Sequence, residues 1–480
     1  MEGLEISEID YKHIDVDNDI FRLDSEFFNK ESIAIDRQIK QINHIYLDNK
    51  RIVSGPFGSA LKSESYLSEG VPFVRVENIK GGFYIDDSEI IYISEDNNNR
   101  LKNSQLFLDD LVLSKVGNTI GFFARVDERI GHCNISENNI GIKLYDFDTE
   151  LKHYILSYLN CRLAQQLVLR RRSGNAQPKL NVGDLSYVPI PVFSSELTLL
   201  TSKCIVNSNA NRHLSRIVYS KAEEILLEEL GLKDWKPTSE AVAIKTFADF
   251  ATSGRLDAEY YQPKYDELFA KLENYNCTRL GSIVTIRKAI EPGSDAYQDT
   301  GIPFMRVSNL SKFEITQPEI HLDRAIYEEL APKPTKDTIL LSKDGSVGIA
   351  YKVEKDIDAI TSGAILHLNL IDNEFLPDYL TLVLNSVVIK MQAERDAGGS
   401  VIQHWKPLEI ENVIIPELPI EKQKLISNKT QESFKLRTES KRLLELAKTA
   451  VEMAIEQSED VAIDYINANL EPAKYSFRHD

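Results

Sequence analysis

The chain has 480 residues, of which 42% are hydrophobic and 27% are charged. This composition excludes a disordered chain and a single small core, and it indicates a globular protein of two to four domains. The formal net charge of −18 argues against a basic field over the whole surface, but it is compatible with local basic loops that contact DNA phosphates.

The first residues, MEGLEISEIDYKHIDVDND, are acidic and contain no apolar core of the kind that a signal peptide needs. No stretch approaches the ~20 consecutive apolar residues of a membrane span. We therefore expect a cytoplasmic protein with no membrane partner. Cys133, Cys161, Cys204 and Cys277 are far apart and form no CxxC pattern, which predicts buried free thiols and no metal site.

One ten-residue stretch occurs twice and suggests an internal duplication. GVPFVRVENI at residues 70–79 returns as GIPFMRVSNL at residues 301–310, with six of the ten positions identical. A separation this long does not suit a solenoid, whose repeats run to about 20–50 residues. Five further pairs of similar stretches occur in the same order in both halves, so the pattern predicts a duplicated domain.

Each half begins with an Arg-Leu-Asp-x-Glu motif and two aromatic residues, FRLDSEFF in the first half and GRLDAEYY in the second. The carboxylate pairs Asp24/Glu26 and Asp257/Glu259 recur in these motifs, two positions apart and beside Arg22 and Arg255. Because no other carboxylate pair recurs in both halves, acid-base catalysis has little support. We predict instead that these ion pairs stabilise the start of each domain.

The next stretches predict a mixture of strands and helices. VPFVRV and IPFMRV are short apolar runs with β-branched residues, which predict strands. LVLSKVG and TILLSKDG each predict a strand that ends in a glycine turn and is followed by a second strand. YILSYLNCRLAQQLVLRRR and YLTLVLNSVVIKMQAER carry apolar residues three and four positions apart, which predicts one amphipathic helix of about five turns in each half.

A long helix is predicted after each domain. The first begins at Ser194 and runs without proline or glycine to Gly231, and the second begins at Pro419 and runs to about Gln457. A helix of ~38 residues is about 55 Å long. Because this exceeds a domain diameter, we expect the two helices to pack antiparallel, although each could instead pack on its own domain.

The predicted fold is α+β: two similar mixed α/β domains with an internal pseudo-twofold repeat, and two long helices packed as an antiparallel coiled-coil-like spacer. The predicted boundaries are residues 1–192 for the first domain, 193–233 for the first helix, 234–417 for the second domain, 418–458 for the second helix and 459–480 for an acidic polar tail. The residues predicted to face partner helices are Leu214, Val218, Ile225, Leu436, Leu443, Ala447, Ala450 and Ala454.

The repeated residues favour binding over catalysis. The sequence contains no GxxxxGK[ST] loop, no HExxH and no GxSxG motif. What recurs is glycine turns with basic residues: SKVGNTIG places Lys115 and Asn118 at the tip of a predicted hairpin, and SKDGSVG places Lys343 and Ser346 at the matching position. Glycine lets backbone amides approach a phosphate, although a plain structural turn stays open as an alternative.

A basic loop follows each predicted amphipathic helix, RRRSGNAQPKL in the first half and ERDAGGSVIQHWK in the second. Basic residues at the C-terminus of a helix also complement its dipole, so part of this pattern is structural. The loop GPFGSALK in front of the first repeated strand has only a distant counterpart, EPGSDAY, in the second half. Unequal loops on similar scaffolds favour two domains that bind different targets.

Together these stretches resemble the specificity subunit of type I restriction-modification systems over nearly the whole chain. The resemblance rests on RLDAEYYQPKY, GPFGS before GVPFVRVENI, LSKVGNTIG, PELPIEKQKLI at the start of the last helix, and the duplicated order of domain and helix. It implies that each domain is a target recognition domain for one half of a split double-stranded DNA sequence. The long helices would form a spacer that docks two methyltransferase subunits and, through them, restriction subunits.

The resemblance also implies that this chain is not an enzyme and binds no cofactor. S-adenosylmethionine, ATP and Mg would belong to the partner subunits of a phage-defence complex. The residues predicted to contact DNA are Gly55, Phe57, Gly58, Ser59, Lys62, Arg75, Lys115, Asn118, Arg171, Arg172, Gln177 and Lys179 in the first domain, and Arg306, Lys343, Ser346, Gln403, His404 and Lys406 in the second.

The sequence departs from the family pattern in two places. Asp109 and Lys336 replace the usual glycine before the aspartate ahead of LSK, and Asn207 and Asn211 interrupt the apolar face of the first long helix. Two other functions stay open: a protein-interaction scaffold, which the acidic charge favours, and an enzyme with an unrecognised site.

Overall fold

The computed structural model describes residues 22, 24–117, 119–174, 178–240, 242–398 and 403–471, except for the side chain of Ser59. The chain divides into two compact units. Unit 1 consists of Met1–Asn211 with Thr438–Asp480, and unit 2 consists of Arg212–Arg437. Because both boundaries fall inside long helices, each unit contains one part of each long helix.

The α-helices of the described residues are α1 (Lys30–Gln41), α2 (Glu95–Arg100), α3 (Thr149–Leu159), α4 (Arg162–Leu169), α5 (Ser195–Glu229), α6 (Phe247–Ser253), α7 (Pro263–Leu272), α8 (Leu280–Ile283), α9 (Arg324–Tyr327), α10 (Pro377–Asn385), α11 (Val387–Asp396), α12 (Pro407–Glu411), α13 (Ile420–Glu456) and α14 (Glu459–Asn469).

The strands of unit 1 are β1 (His44–Ile45), β2 (Ile52–Ser54), β3 (Val71–Val74), β4 (Phe83–Tyr84), β5 (Ile91–Ile93), β6 (Gln105–Phe107), β7 (Leu111–Ser114), β8 (Phe123–Arg125), β9 (His132–Ile135), β10 (Asn139–Ile142) and β11 (Ile190–Pro191). Those of unit 2 are β12 (Cys277–Arg279), β13 (Val284–Lys288), β14 (Ile302–Met305), β15 (His321–Leu322), β16 (Ile339–Ser342), β17 (Ala350–Lys352), β18 (Ile360–Thr361), β19 (Ile365–Leu370) and β20 (Ile414–Pro416).

The sheets of the two units share most of their strand order, but β4 and β6 of unit 1 have no counterpart in the described sheets of unit 2. Unit 1 has one sheet in the order β2-β10-β7-β8-β4 and another in the order β5-β3-β9-β6, while β1 pairs with β11. Unit 2 has the orders β13-β19-β16-β17 and β15-β14-β18, while β12 pairs with β20. The strands predicted from VPFVRV, IPFMRV and the two LSK stretches are confirmed as β3, β14 and the antiparallel pairs β7/β8 and β16/β17.

The two predicted five-turn helices are wrong, because each stretch forms two shorter helices. The first breaks between α3 and α4 at Cys161, and the second breaks between α10 and α11 at Ser386. Both residues have extended backbone, with φ −75° and ψ 159° at Cys161 and φ −75° and ψ 165° at Ser386. The apolar periodicity continues through the break, so periodicity alone did not reveal it.

The ends of the long helices agree with the prediction. Ser194 caps the start of α5, where its Oγ accepts a hydrogen bond from the Leu197 amide at 3.3 Å, and Gly231 follows its end with a left-handed φ of 60°. The second long helix, α13, begins one residue after Pro419. Only glycine adopts a left-handed backbone at little cost, which explains this helix stop.

Within each unit the two long helices run in opposite directions. In unit 1 the Ser208 hydroxyl donates to the Ser440 carbonyl at 2.8 Å, while the Ser194 amide donates to Glu459, beyond the far end of α13, at 2.8 Å. In unit 2 the Ser433 hydroxyl donates to the Ser215 carbonyl at 2.8 Å. In the same unit, Lys422 near the start of α13 pairs with Glu229 at the end of α5.

The residues predicted to face partner helices are buried to different degrees. Val218, Leu443, Ala447, Ala450 and Ala454 are buried, whereas Leu214, Ile225 and Leu436 are half-buried. The last four residues of α13 in this set pack into the core of unit 1. The sequence analysis missed the four buried serines that join the helices, because serine gives no apolar signal.

An arginine occupies the face of α13 that is buried in unit 2. The Arg437 guanidinium lies 3.6 Å from the centre of the Phe313 ring, which belongs to the loop after β14. Burial, together with the charges of Arg212 and Arg216, lowers the pKa of Arg437 to about 10. This contact attaches a loop of the sheet region to the long helix.

The segment predicted as a polar tail is partly helical. Helix α14 begins after Ser458, whose side chain accepts a hydrogen bond from the Val461 amide. Ala462 and Ile466 are fully buried in the core of unit 1. These two apolar side chains, four positions apart, lie on one face of the helix and attach the segment to the core of unit 1. The acidic composition of the segment gave no sign of this contact.

Candidate nucleic-acid interface

Four loops of unit 1 meet near the glycine turn that follows β7. The Gly55 amide donates to the Asn139 carbonyl at 3.4 Å, and the Lys115 amide donates to the Asn138 carbonyl at 3.0 Å. The Leu180 amide donates to the Lys115 carbonyl at 2.9 Å, which joins the turn to the loop after α4. Backbone hydrogen bonds therefore hold together loops that are distant in sequence.

Gly55 permits the closest of these approaches. A Cβ atom at this position would lie 2.0 Å from the carbonyl oxygen of Ser136, so no other residue fits without a backbone shift. The Gly58 amide, a little further along the same loop, donates to the Glu137 carboxylate at 2.6 Å. Between them Phe57 is 82% exposed, which leaves an aromatic ring at the tip of the loop.

Unit 2 brings together the corresponding loops. The Lys343 amide donates to the Ala364 carbonyl at 2.9 Å, and the Gly345 amide donates to the Gln403 carbonyl at 2.9 Å. The Trp405 amide donates to the Lys343 carbonyl at 2.8 Å. The glycine turn and the loop after α11 are thus joined as they are in unit 1.

The predicted lysines lie in different electrostatic surroundings. Partial burial lowers the pKa of Lys115, and the charge of Glu137 partly opposes this effect. The Lys115 amino group donates to the Ser54 hydroxyl at 3.4 Å. In unit 2, by contrast, Lys343 forms an ion pair with its neighbour Asp344. Burial would raise the pKa of Asp344, but the hydrogen bonds from Lys343 and His404 lower it.

The other predicted residues of these loops are mostly exposed. The structure leaves exposed Lys62, Lys179, Ser346, Gln403, His404 and Lys406. Lys406 pairs with Glu409 at 3.3 Å, and His404 contacts Asp344 at 2.8 Å. Three predicted contacts, the Ser59 side chain, Asn118 and Gln177, lie outside the described residues.

Arg171 does not fit its predicted role as a DNA contact. It is 5% exposed, its guanidinium donates to the Tyr187 carbonyl at 3.1 Å, and it lies over the rings of Phe27 and Tyr187. Its neighbour Arg172 is half-buried and donates to the Leu169 carbonyl at 3.0 Å. The guanidinium groups of both arginines therefore bond to backbone carbonyls within unit 1.

The side chains of the two arginines that follow the repeated strands have different surroundings. Arg75 and Arg306 each precede a short 3₁₀ turn, and their amides donate to Asn78 and Asn309. The Arg75 guanidinium is paired with Glu77 at 2.7 Å, whereas Arg306 is exposed.

The predicted ion pairs at the start of each domain are confirmed. Arg22 lies 2.7 Å from Asp24, and Arg255 lies 2.6 Å from Asp257. Each guanidinium also lies 5.0 Å from the centre of an aromatic ring of its motif. In each half the arginine of the motif therefore contacts both a carboxylate and an aromatic ring of the same motif.

A buried polar cluster joins the β7/β8 sheet of unit 1 to helix α5, and the sequence analysis missed it. Asp109 lies 2.6 Å from Arg125, and His153 lies within 3.4 Å of the same carboxylate. The other ring nitrogen of His153 contacts the Ser202 hydroxyl on α5 at 2.8 Å. Burial would raise the pKa of Asp109, but hydrogen bonds from His153 and Arg125 lower it to about 2.

The residue of unit 2 that corresponds to Asp109 is Asp337. The sequence analysis treated Lys336 as the counterpart of Asp109, which is wrong by one residue. Asp109 has φ 69° and Asp337 has φ 65°, and their amides donate to the carbonyls of Val126 and Val353. Aspartate tolerates this left-handed backbone better than most residues, which explains how it replaces glycine.

The described residues contain no group of three or more His, Cys, Asp or Glu side chains that could hold a metal ion. In the same part of the chain, no helix is both long and apolar enough to cross a membrane.

Comparisons with known proteins give one family match and several structural likenesses. A solved S subunit of the type I restriction-modification system of M. genitalium is 14% identical, with 89% of this chain and 96% of that chain covered and a TM-score of 0.31. A structure described as the basis of complex assembly and conformational transition of the type I R-M system is 13% identical, with 89% and 96% covered and a TM-score of 0.28. The HsdS subunit of Thermoanaerobacter tengcongensis is 14% identical, with 88% and 96% covered and a TM-score of 0.27.

No curated protein matches the sequence. Residues 273–447 match the family model of the type I restriction modification DNA specificity domain. This stretch includes every strand of unit 2 and most of α13. Residues 273–447 are therefore similar to a type I restriction modification DNA specificity domain, which confirms for this part of the chain the resemblance that the motifs predict.

Proposed function

We propose that this chain recognises a split DNA sequence, with one half-site bound by the loops of each unit, as the specificity subunit of a type I restriction-modification complex. The observation that carries the proposal is the DNA specificity domain at residues 273–447, together with the matching set of joined loops in unit 1. Two similar sets of loops in one chain suit two half-sites.

The chemistry of the loops supports contact with DNA. Backbone amides and lysines such as Lys115 bind phosphates and orient a protein on the duplex, while other side chains on the loops contact base edges. These loops differ between the units, since the glycine-rich loop of residues 55–59 has no close counterpart in unit 2. Different loops on a similar scaffold would give different half-sites.

The long helices support a spacer role. Helix α13 has 37 residues, which corresponds to about 55 Å, or about sixteen base pairs of DNA at 3.4 Å each. A rigid spacer of this length would separate the two half-sites by a gap of constant length. We propose that the helices also dock two methyltransferase subunits, which in turn carry restriction subunits.

Catalysis would then belong to the partners. In this proposal the methyltransferase subunits bind S-adenosylmethionine and methylate adenine, and ATP and Mg act in the restriction subunits. Methyl transfer by the purified chain alone would contradict this assignment.

The proposal is tested by selection from random duplexes. The chain is purified with its methyltransferase subunits, and bound duplexes are sequenced. We expect a selected sequence in two parts with a constant gap, and an affinity that falls steeply with salt. Absence of any sequence preference would overturn the proposal.

A second function, a protein-interaction scaffold, is favoured by one specific observation. Val242, Ile244 and Phe247 are 72%, 96% and 85% exposed, and they lie close together in the sequence after α5. Exposed apolar side chains of this kind are common at protein interfaces. Binding of a methyltransferase without any DNA preference would favour the scaffold.

A further inference from the structure

The matching positions of the two sets of loops carry different pairs of side chains. An isolated antiparallel bridge joins Val116 to Lys179 in unit 1 and Asp344 to His404 in unit 2. In both units the bridge holds the glycine turn against the loop that follows the helix pair. Because the backbone pairing is the same, the difference between the units lies in the side chains.

His404 is held in one orientation but remains accessible. Its Nδ1 lies 2.8 Å from Asp344 Oδ1, and the side chains of His404 and Asp344 are 62% and 20% exposed. Its amide donates to the Gly398 carbonyl at 2.7 Å, and its carbonyl accepts from the Gly398 amide at 3.1 Å. An ionised carboxylate can only accept a hydrogen bond, so Nδ1 carries the proton that is donated to Asp344.

In a neutral imidazole ring, the state of Nδ1 determines whether Nε2 donates or accepts a hydrogen bond. With the proton on Nδ1, the Nε2 of the neutral ring is a hydrogen-bond acceptor. Among the described residues, Nε2 has no hydrogen-bond partner. In the major groove an acceptor fits the amino group of cytosine or adenine, whereas a lysine such as Lys179 donates to the O6 and N7 of guanine.

We propose that His404 is a specificity-determining residue of unit 2, whose Nε2 accepts a hydrogen bond from the amino group of cytosine or adenine, and that Asp344 is its positioning residue. The inference rests on the proposed function. It adds that the two units use opposite hydrogen-bond chemistry at one matching position, with an acceptor in unit 2 and a donor, Lys179, in unit 1.

The test compares variants of the complex of this chain with its methyltransferase subunits in the same selection from random duplexes. With His404→Ala we expect discrimination to fall about tenfold at one position of one half-site, where the parent selects cytosine or adenine. The other half-site should be unchanged. Lys355→Ala, which removes an exposed charge in the turn after β17, is the matched control and should leave both half-sites unchanged.

Variants of Asp344 separate positioning from a general effect on the fold. Asp344→Ala should weaken discrimination at the same position. Asp344→Asn should keep the discrimination of the parent, because the asparagine amide oxygen still accepts a hydrogen bond from His404 Nδ1. The double variant Asp344→Val with His404→Lys copies the pair of unit 1 and should shift the preference at that position to guanine. Tryptophan fluorescence reports whether unit 2 of each variant is folded, since Trp235 and the buried Trp405 both lie there.

Two results would overturn the inference alone: a folded His404→Ala complex with unchanged selection at every position, or a loss of discrimination where the parent selects guanine or thymine. A parent complex without any sequence preference would instead overturn the proposed function, and this inference with it.

Discussion

Asn160 and Asn385 each attach the end of a helix to a neighbouring strand. The Asn160 amide group donates to the Phe123 carbonyl at 2.9 Å and accepts from the Phe123 amide at 3.2 Å. Asn385 makes the same pair of bonds to Ala350, at 2.7 and 3.1 Å. Each asparagine thus bonds both backbone groups at the first residue of a strand, and the next helix begins shortly afterwards.

We predict that Asn385→Ala destabilises unit 2 by about 2 kcal/mol, because it leaves the backbone amide and carbonyl of Ala350 buried without partners. Urea unfolding measured by tryptophan fluorescence reports on unit 2 specifically, since the two tryptophans of the chain, Trp235 and Trp405, both lie there.

The matched control is Asn274→Ala, an exposed asparagine that bonds only to carbonyls of its own helix. We expect it to change stability by less than about 0.5 kcal/mol. Equal effects of the two variants would contradict the role assigned to Asn385.

Asp109 should make the stability of unit 1 depend on pH in the acid range. Its pKa is about 2 in the folded unit, below the ordinary value of 3.8, so its ionised form stabilises the fold above about pH 4. This stabilisation, about 2 kcal/mol, should disappear as the pH falls from about 4 to about 2. Urea unfolding followed by circular dichroism, compared with Asp109→Asn, measures it.

Asparagine also adopts the left-handed backbone of Asp109, so the substitution removes the charge without straining the turn. The difference in stability between parent and variant should be largest near neutral pH and vanish near pH 2. A difference that is the same at pH 2 and pH 7 would show that the charge of Asp109 does not stabilise unit 1.

At the scale of elements, helix α13 combines apolar and polar buried faces. Its second part buries Leu443, Ala447 and Ala450 in unit 1, and apolar spacing in the sequence predicts this. Its middle buries Ser433 and Ser440 against serines of α5. Small hydroxyl side chains let two helices approach closely and bond to each other's carbonyls, but no apolar pattern marks them.

Helix α14 should contribute to the stability of unit 1. We expect Ile466→Ala to destabilise unit 1 by about 2–4 kcal/mol, because Ile466 is fully buried and its truncation leaves a cavity. Circular dichroism should show an earlier urea transition, while the tryptophan transition of unit 2 stays at the same urea concentration.

Val461→Ala is the matched control on the same helix, since Val461 is 37% exposed and its truncation removes little buried surface. If Ile466→Ala and Val461→Ala have the same small effect, helix α14 does not contribute to the core of unit 1.

At the scale of the whole molecule, the two long helices should act together. Insertion of seven residues after Asn211 and seven after Arg437 lengthens both helices by about 10 Å, or about three base pairs of DNA. We expect the matched insertion to lengthen the selected gap by about three base pairs without changing the bases selected in either half-site. Selection from random duplexes measures both.

An insertion in only one helix is the control, because it shifts α5 relative to α13 and breaks the serine pairs. It should disrupt assembly with the methyltransferase subunits. An unchanged gap in the matched variant would contradict the spacer role.

Much of this protein was determined by the sequence itself. The two GVPF-like strands, the LSK turns, the long helices and their ends follow from local rules: β-branched runs, glycine turns, an N-cap serine and a helix-stopping glycine. The resemblance that these motifs carry is confirmed for residues 273–447. Such features depend on neighbours in the sequence, so the sequence alone reveals them.

Only the tertiary structure decided which side chains are free to act. Arg171 and Lys179 lie in one basic loop, but Arg171 is buried over Phe27 whereas Lys179 is exposed at the bridge to Val116. The asparagines directly before the helix breaks at Cys161 and Ser386 bond to strands that are distant in the sequence. Burial and hydrogen bonding between residues far apart in the chain decide these outcomes, and composition and periodicity do not contain that information.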